Sequence, residues 1–223
     1  ESVPTSRSPA AEIKGYSLRD FIAFAANAPL DDLEFIWEGV EMNMRIATVG
    51  LDEGLGIGLG KFLLAQAKNA SARARAYTSA AADARMAGYP LPVMSSAGSG
   101  NHGLVAITPL AVIGLEKDIP REVIIRSIVL SHLLTIYIKA YTGPFAPVCG
   151  CGVAAGIGCA AGLVFMRGGT GEQIRAAISN MVAGISGMLC DGAKLGCSYK
   201  LAIAVEAAFA AAEMALKGIC IPT

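Results

Sequence analysis

Between Ala140 and Met166 the chain carries no Asp, Glu, Lys or Arg. A stretch of that length must either cross a bilayer or lie inside a protein, because about 20 apolar residues suffice to span the hydrocarbon layer. Its own residues argue against the bilayer. It opens Tyr-Thr-Gly-Pro-Phe-Ala-Pro, and two prolines with a glycine would free backbone groups that lipid cannot satisfy. What remains is a helix of about 19 residues built largely of Ala, Gly and Cys, small residues that let neighbouring helices approach closely. The other long apolar runs carry charges, Arg126 and Lys139 in one, Glu206 and Glu213 in another. Only 16% of residues are charged and the mean hydropathy is +0.53. The chain is therefore expected to be a mostly buried helical body, with no membrane span and with surface hidden against partners.

No segment sustains period-two alternation, so the expected fold is all-α, a single multi-helix domain with buried small-residue helices. Residues 1–14 are polar and contain proline, which reads as a linker or tail ahead of a domain over 15–223. Ser17 offers an N-cap to a helix that ends at Asn27-Ala28-Pro29. Asp31, Asp32 and Glu34 populate the first turn of a second helix reaching about Val49, with Trp37 on its core face. Further helices are expected over 61–88, along the apolar run 104–115, from Pro120 to about Tyr141, over 172–187 and over 201–217. The segment Gly54-Leu-Gly-Ile-Gly-Leu-Gly60 is not read as a phosphate loop. No strand precedes it and its spacing is not G-x-G-x-x-G, so it is expected to be a flexible connection.

The 18 basic and 18 acidic residues cancel, leaving no global field to hold nucleic acid. Glu1 to Lys14 has no apolar core of the kind a secretory signal needs. Six cysteines in such a chain read as reduced thiols or metal ligands in a cytoplasmic protein rather than as a disulfide framework.

Chemistry concentrates in two places. In the stretch Met188 to Lys200, Cys190 and Cys197 flank Asp191 and Lys194, with Gly192 and Gly196 allowing tight turns. Upstream, Cys149 and Cys151 sit where a loop enters the small-residue helix, a position that lowers thiol pKa. Thiolates from two such junctions could converge on a soft metal, or they could be inert buried thiols. The C-x-C and C-x6-C spacings are not zinc-ribbon knuckles, and Cys159, two turns into the helix, reads as packing. The second place is the loop Met94-Ser-Ser-Ala-Gly-Ser-Gly-Asn-His-Gly103. Its N–H groups could hold a carboxylate, or it could be an ordinary capped loop with a satisfied His102. His132 lies on an apolar helix face and reads as core.

Four blocks together carry a resemblance: Ser-Ala-Gly-Ser-Gly-Asn-His-Gly (96–103), Cys-Gly-Cys-Gly-Val-Ala-Ala-Gly (149–156), Gly-Gly-Thr-Gly-Glu-Gln-Ile (168–174) and Gly-Met-Leu-Cys-Asp-Gly-Ala-Lys-Leu-Gly-Cys (187–197). Over most of residues 30 to 220 the chain resembles the serine dehydratase α-chain family, nearest to its L-cysteine desulfidase and serine-dehydratase-like branch. The resemblance implies a [4Fe–4S] β-lyase independent of pyridoxal phosphate, acting on a small amino acid, L-cysteine or L-serine. It implies Cys151, Cys190 and Cys197 as cluster ligands with Cys149 in reserve, and Asp191 and Lys194 behind them. Ser96, Ser99, Gly100, Asn101 and His102 would orient the substrate. The family's Cys-Thr-Glu-Pro-type motif is absent from this sequence, so the resemblance places the catalytic base in a further domain or partner chain, and it leaves homo-oligomerisation open. The alternative is a non-catalytic helical protein with structural zinc or free thiols.

Overall fold

The computed structural model describes residues 9–222. Residues 1–8 of the expected tail lie outside that range; Pro9–Glu12 forms a helical turn and Ile13–Gly15 a 3-10 turn. Among the described residues there are nine helices of at least two turns and no strand. They are α1 Leu18–Asn27, α2 Phe35–Glu53, α3 Leu59–Gln66, α4 Ala70–Met86, α5 Gly100–Glu116, α6 Arg121–Thr142, α7 Ala155–Met166, α8 Gly171–Ile185 and α9 Cys197–Leu216. The all-α expectation holds.

Helix ends follow the side chains that can satisfy them. Ser17 accepts from the Asp20 N–H at 3.3 Å while the Asp20 carboxylate accepts from the Ser17 N–H at 2.8 Å, a reciprocal cap of the kind that stabilises a helix start by about 1 kcal/mol. Thr170 and Gln173 repeat the arrangement at α8. The run 61–88, expected as one helix, is two. Asn69 turns its side chain onto the Ala72 N–H at 2.8 Å, so the backbone leaves helical geometry there and α4 starts afresh.

The core is organised around α5 and α7. Every residue from Gly100 to Gly114 is buried, and so is all of α7 except Phe165. Helices apolar on every side are expected to sit centrally. α4, α6 and α7 pack on α5, while α6, α8 and α9 pack on α7. The small residues of α7 permit this crowding: a Cβ at Gly158 would meet the Ser131 carbonyl, and one at Gly162 would lie 2.8 Å from Leu110 Cδ1 and the Ser127 carbonyl of α6. Cys159 is fully buried beside them, and burial pushes its thiol pKa up. Trp37 packs against the core, half-buried, with the Arg121 guanidinium 4.7 Å from its ring centre.

The uncharged stretch 140–166 is interrupted by the loop 143–149. Among the described residues one helix, α6, is long and apolar enough to cross a membrane, and 56% of its apolar window is buried. The glycine loop is ordered by an internal anion: the Gly60 N–H donates to the Asp83 carboxylate at 2.9 Å, and the Ile57 and Leu59 N–H groups also favour its ionised form, although burial pushes the Asp83 pKa up overall.

Candidate functional site

A single antiparallel bridge between Val148 and Leu189 brings the two cysteine-bearing segments side by side. The Cys149 N–H donates to the Met188 carbonyl at 2.8 Å and the Cys190 N–H to the Pro147 carbonyl at 2.7 Å. The second segment is clasped from α9. Lys200 donates to the Leu189 carbonyl at 2.9 Å and pairs with Asp191, which also pairs with Lys194. Lys194 and then Lys200 hold the Asp191 carboxyl well below the usual carboxylate range. Cys197 is buried at the start of α9, with its sulfur 3.5 Å from the Lys194 N–H and 3.7 Å from the Gly192 carbonyl.

The first segment enters α7 through a π-helical turn, Gly150–Ala154, a wide turn that recurs at functional sites. Cys149 and Cys151 flank its first residue. Cys149 accepts hydrogen bonds from Cys151 and from the Gly152 N–H, at 3.4 Å for the latter, and Lys200 adds a nearby positive charge. These contacts lower the Cys149 thiol to about 6. The hydrogen bond to Cys149, burial and the nearby Cys149 and Cys197 thiols push the Cys151 pKa up. Cys190 is exposed on its loop and Cys220 is exposed near the C-terminal end. Four soft donors, Cys149, Cys151, Cys190 and Cys197, are thus gathered at one corner, a donor set that suits iron or zinc better than a hard cation. Among the described residues, no three His, Cys, Asp or Glu side chains stand close enough together to hold a metal as placed.

The 94–103 loop closes the other side of this corner. Ser96 and Ser99 pair across a two-residue turn, N–H to carbonyl at 3.1 and 3.0 Å, with Ala97 at φ 46° and Gly98 at φ 77°. A positive φ costs Ala about 1–2 kcal/mol, so the turn is held against local preference. Gly100, Asn101 and His102 are not loop residues: they form the first turn of α5. His102 is buried, and its Nδ1 lies 3.0 Å from the Ser96 carbonyl. A carbonyl only accepts, so Nδ1 carries the proton and Nε2 the lone pair. Nε2 lies against Gly150, where a Cβ would collide with it. Burial, then the charges of Lys139 and Arg85, lower the His102 pKa, leaving the ring neutral near pH 7.

The proposed substrate-orienting residues therefore divide. Ser99, whose hydroxyl reaches Cys151, and His102 adjoin the cysteines. The Ser96 side chain faces away, 2.8 Å from His132 Nδ1, beside a cavity of 330 Å³ that Met94, Ala97 and Ile136 also line. Asn101 accepts from Arg85 at 3.0 Å, and Gly100 packs against Arg85 and Val93. Two residues at this corner carry no motif in the sequence, Lys139, buried with Cδ 3.2 Å from a Cβ built at Gly150, and Arg85, and Lys200, at the end of the 188–200 stretch, was given no role there. The available signal was a lysine at i+4 from Thr135 on the buried face of an apolar helix.

Residues 11–222 match the family described as Serine dehydratase alpha chain. The chain belongs to the serine dehydratase alpha chain family. Within it, a UPF0597 protein of Caldanaerobacter subterraneus subsp. tengcongensis is 56% identical, covering 96% of this chain and 50% of that relative. One from Clostridium tetani is 58% identical over 95% of this chain and 50% of its own length, and one from Desulfotalea psychrophila 46% identical over 94% and 49%. The chain thus spans about half the length of the curated relatives it matches. No solved structure matches it.

Proposed function

We propose that this chain is the thiol-bearing, substrate-orienting part of an iron–sulfur-dependent, pyridoxal-phosphate-independent β-lyase acting on L-cysteine or L-serine. The observation that carries the reading is the Val148–Leu189 bridge, which sets both cysteine segments of a serine dehydratase alpha chain against the His102 turn. Cys151, Cys190 and Cys197 would hold a [4Fe–4S] cluster, with Cys149 as the substitute ligand. Bound there, the cluster would supply a Lewis acid for the departing β-hydroxyl or β-thiol.

The chain's own residues do the remainder of what it can contribute. Lys200, Asp191 and Lys194 fix the loop that carries Cys190. Neutral His102 offers the Nε2 lone pair to the substrate ammonium, and the Ser96 carbonyl keeps that tautomer. Val93 and the apolar wall of α5 and α7 exclude water behind the turn. Elimination removes the α-proton together with the β-hydroxyl as water, or the β-thiol as hydrogen sulfide; the enamine then tautomerises and is hydrolysed to pyruvate and ammonia. The α-proton base is assigned to the portion of the relatives' length that this chain does not span, or to a partner chain.

The test is an anaerobic assay of the whole protein for pyruvate and sulfide from L-cysteine beside pyruvate from L-serine, with iron and acid-labile sulfide measured on the same sample. Cys190→Ala should lose the brown absorbance and the activity together. Stoichiometric zinc without iron, and no pyruvate from either amino acid, would sink the reading in favour of a structural zinc protein.

A further inference from the structure

The 330 Å³ cavity behind Ser96 is walled by residues of α1, α2 and α6. Leu33, Ile36 and Val129, all buried, form its apolar floor. A cavity of about 150 Å³ takes up benzene, so this one has room for an aromatic ring with a short side chain. Its rim is of another character. Phe24 and Phe35 stand there half exposed, and the exposed Asp32 lies on the same rim. Asp32 is in no ion pair among the described residues, and no lysine or arginine lines the cavity. His132, the other ionisable group on the wall, is kept neutral near pH 7 by burial. Aromatic faces and a carboxylate with no competing cation are the elements that attract an organic ammonium ion, whereas a carboxylate ligand would meet the like charge of Asp32.

The cavity and the thiol corner share one residue. The Ser96 hydroxyl lies 2.8 Å from His132 Nδ1 on the cavity wall, and the Ser96 carbonyl holds His102 Nδ1 at 3.0 Å. Next to it Ala97, also on the wall, keeps φ at 46°. Residues held in such conformations cluster at ligand clamps and switch regions, and this one stands between a cavity and the ring that adjoins the cysteines.

We propose that the cavity is a binding site for an organic ammonium ion with a compact apolar body, and that its occupancy is felt at His102 through Ser96. The apolar body fills the space over Leu33, Ile36 and Val129, and the ammonium lies at the rim between the phenyl rings and Asp32. Binding is independent of the lyase reading; only its effect on turnover rests on that reading.

Calorimetry of the whole protein with 2-phenylethylamine, 2-phenylethanol and 3-phenylpropionate, which share a ring and differ in charge, tests the site. The amine should bind about tenfold more tightly than the alcohol, and the acid more weakly than either. Asp32→Asn should bring the amine to within about threefold of the alcohol, and Ile136→Trp, which fills the cavity, should weaken both by about tenfold or more. In imidazole NMR of the histidine-labelled protein, assigned with His102→Gln, saturating amine should move the His102 ring signals. Equal affinity for the three probes, or an amine preference that survives Asp32→Asn, overturns the ligand class. Absence of binding overturns the site, and amine binding that leaves His102 unmoved overturns the link through Ser96. Where Ile136→Trp does not fold, Asp32→Asn, at an exposed position, decides. Failure of wild type to release pyruvate sinks the lyase reading separately and leaves these titrations untouched.

Discussion

His132 shows how much a single side chain's meaning depends on its surroundings. Its Nδ1 meets the Ser96 hydroxyl, its Nε2 is buried without a partner, and burial lowers its pKa from 6.5 to about 4. The neutral ring is the form the fold accepts. Its stabilisation is complete above pH 6.5 and is lost as pH falls from there towards 4, where the folded protein finally takes up the proton. Between pH 6.5 and 5 the single site accounts for about 2 kcal/mol. Urea unfolding of wild type and His132→Gln at both pH values should show a smaller loss in the variant; equal losses would remove His132 as the source. The sequence identified His132 as an apolar-face residue and His102 as part of a glycine-serine motif, since both statements follow from neighbours in the chain. The Ser96 carbonyl that fixes the His102 tautomer lies only six residues away in the same motif, but the packing of that ring against Gly150 joins residues tens of positions apart, and no local pattern carries that.

At the scale of elements, the legible parts are those decided locally. Ser17 starts a helix in the sequence and in the fold alike, whereas the Thr170–Gln173 cap shows only in the fold. The break at Asn69 was hidden because the helix-forming composition on either side outweighed one capping residue. The glycine loop takes its order from Asp83, 23 residues beyond Gly60, which its spacing does not reveal. Asp83→Ala should cost about 2–3 kcal/mol, the penalty for leaving buried N–H donors unsatisfied, read as a shift in the urea midpoint with an unchanged slope. A loss under about 0.5 kcal/mol would make the loop self-sufficient. On the thiol corner, the Cys149/Cys151 and Cys190/Cys197 pairs were readable as motifs; their meeting through Val148 and Leu189 was not. Lys200 is the clasp of that meeting. Lys200→Met should speed loss of reconstituted iron to a chelator by about tenfold, as residues that position ligands do, while moving Tm by no more than about 2 °C. Unchanged iron release would assign the clasp a surface role only.

For the molecule as a whole, α5 and α7 are the most completely buried of the apolar helices, and one group of exposed apolar side chains lies around the thiols. Phe145 is 99% exposed, Leu189 65% and Tyr199 59%, all on the segments that frame Cys149, Cys190 and Cys197. Elsewhere single exposed hydrophobic residues are ordinary, but a group of them around a candidate reaction centre marks a surface that is covered in use. Because the chain spans half of its relatives' length, we expect the covering surface to come from the other half or from a partner chain, closing the corner against water. Left uncovered, the same surface should drive self-association. Phe145→Ser with Leu189→Ser removes two apolar side chains worth about 1.5–3 kcal/mol each when buried, so association of the chain alone, followed by sedimentation velocity, should weaken by about a hundredfold to ten-thousandfold. In the whole protein, amide exchange at Phe145–Cys149 and Met188–Cys190 should be slowed relative to the chain alone. Exchange equally fast in both, with association unaffected by the double substitution, would leave the rim a bare surface and place the missing half of the site elsewhere.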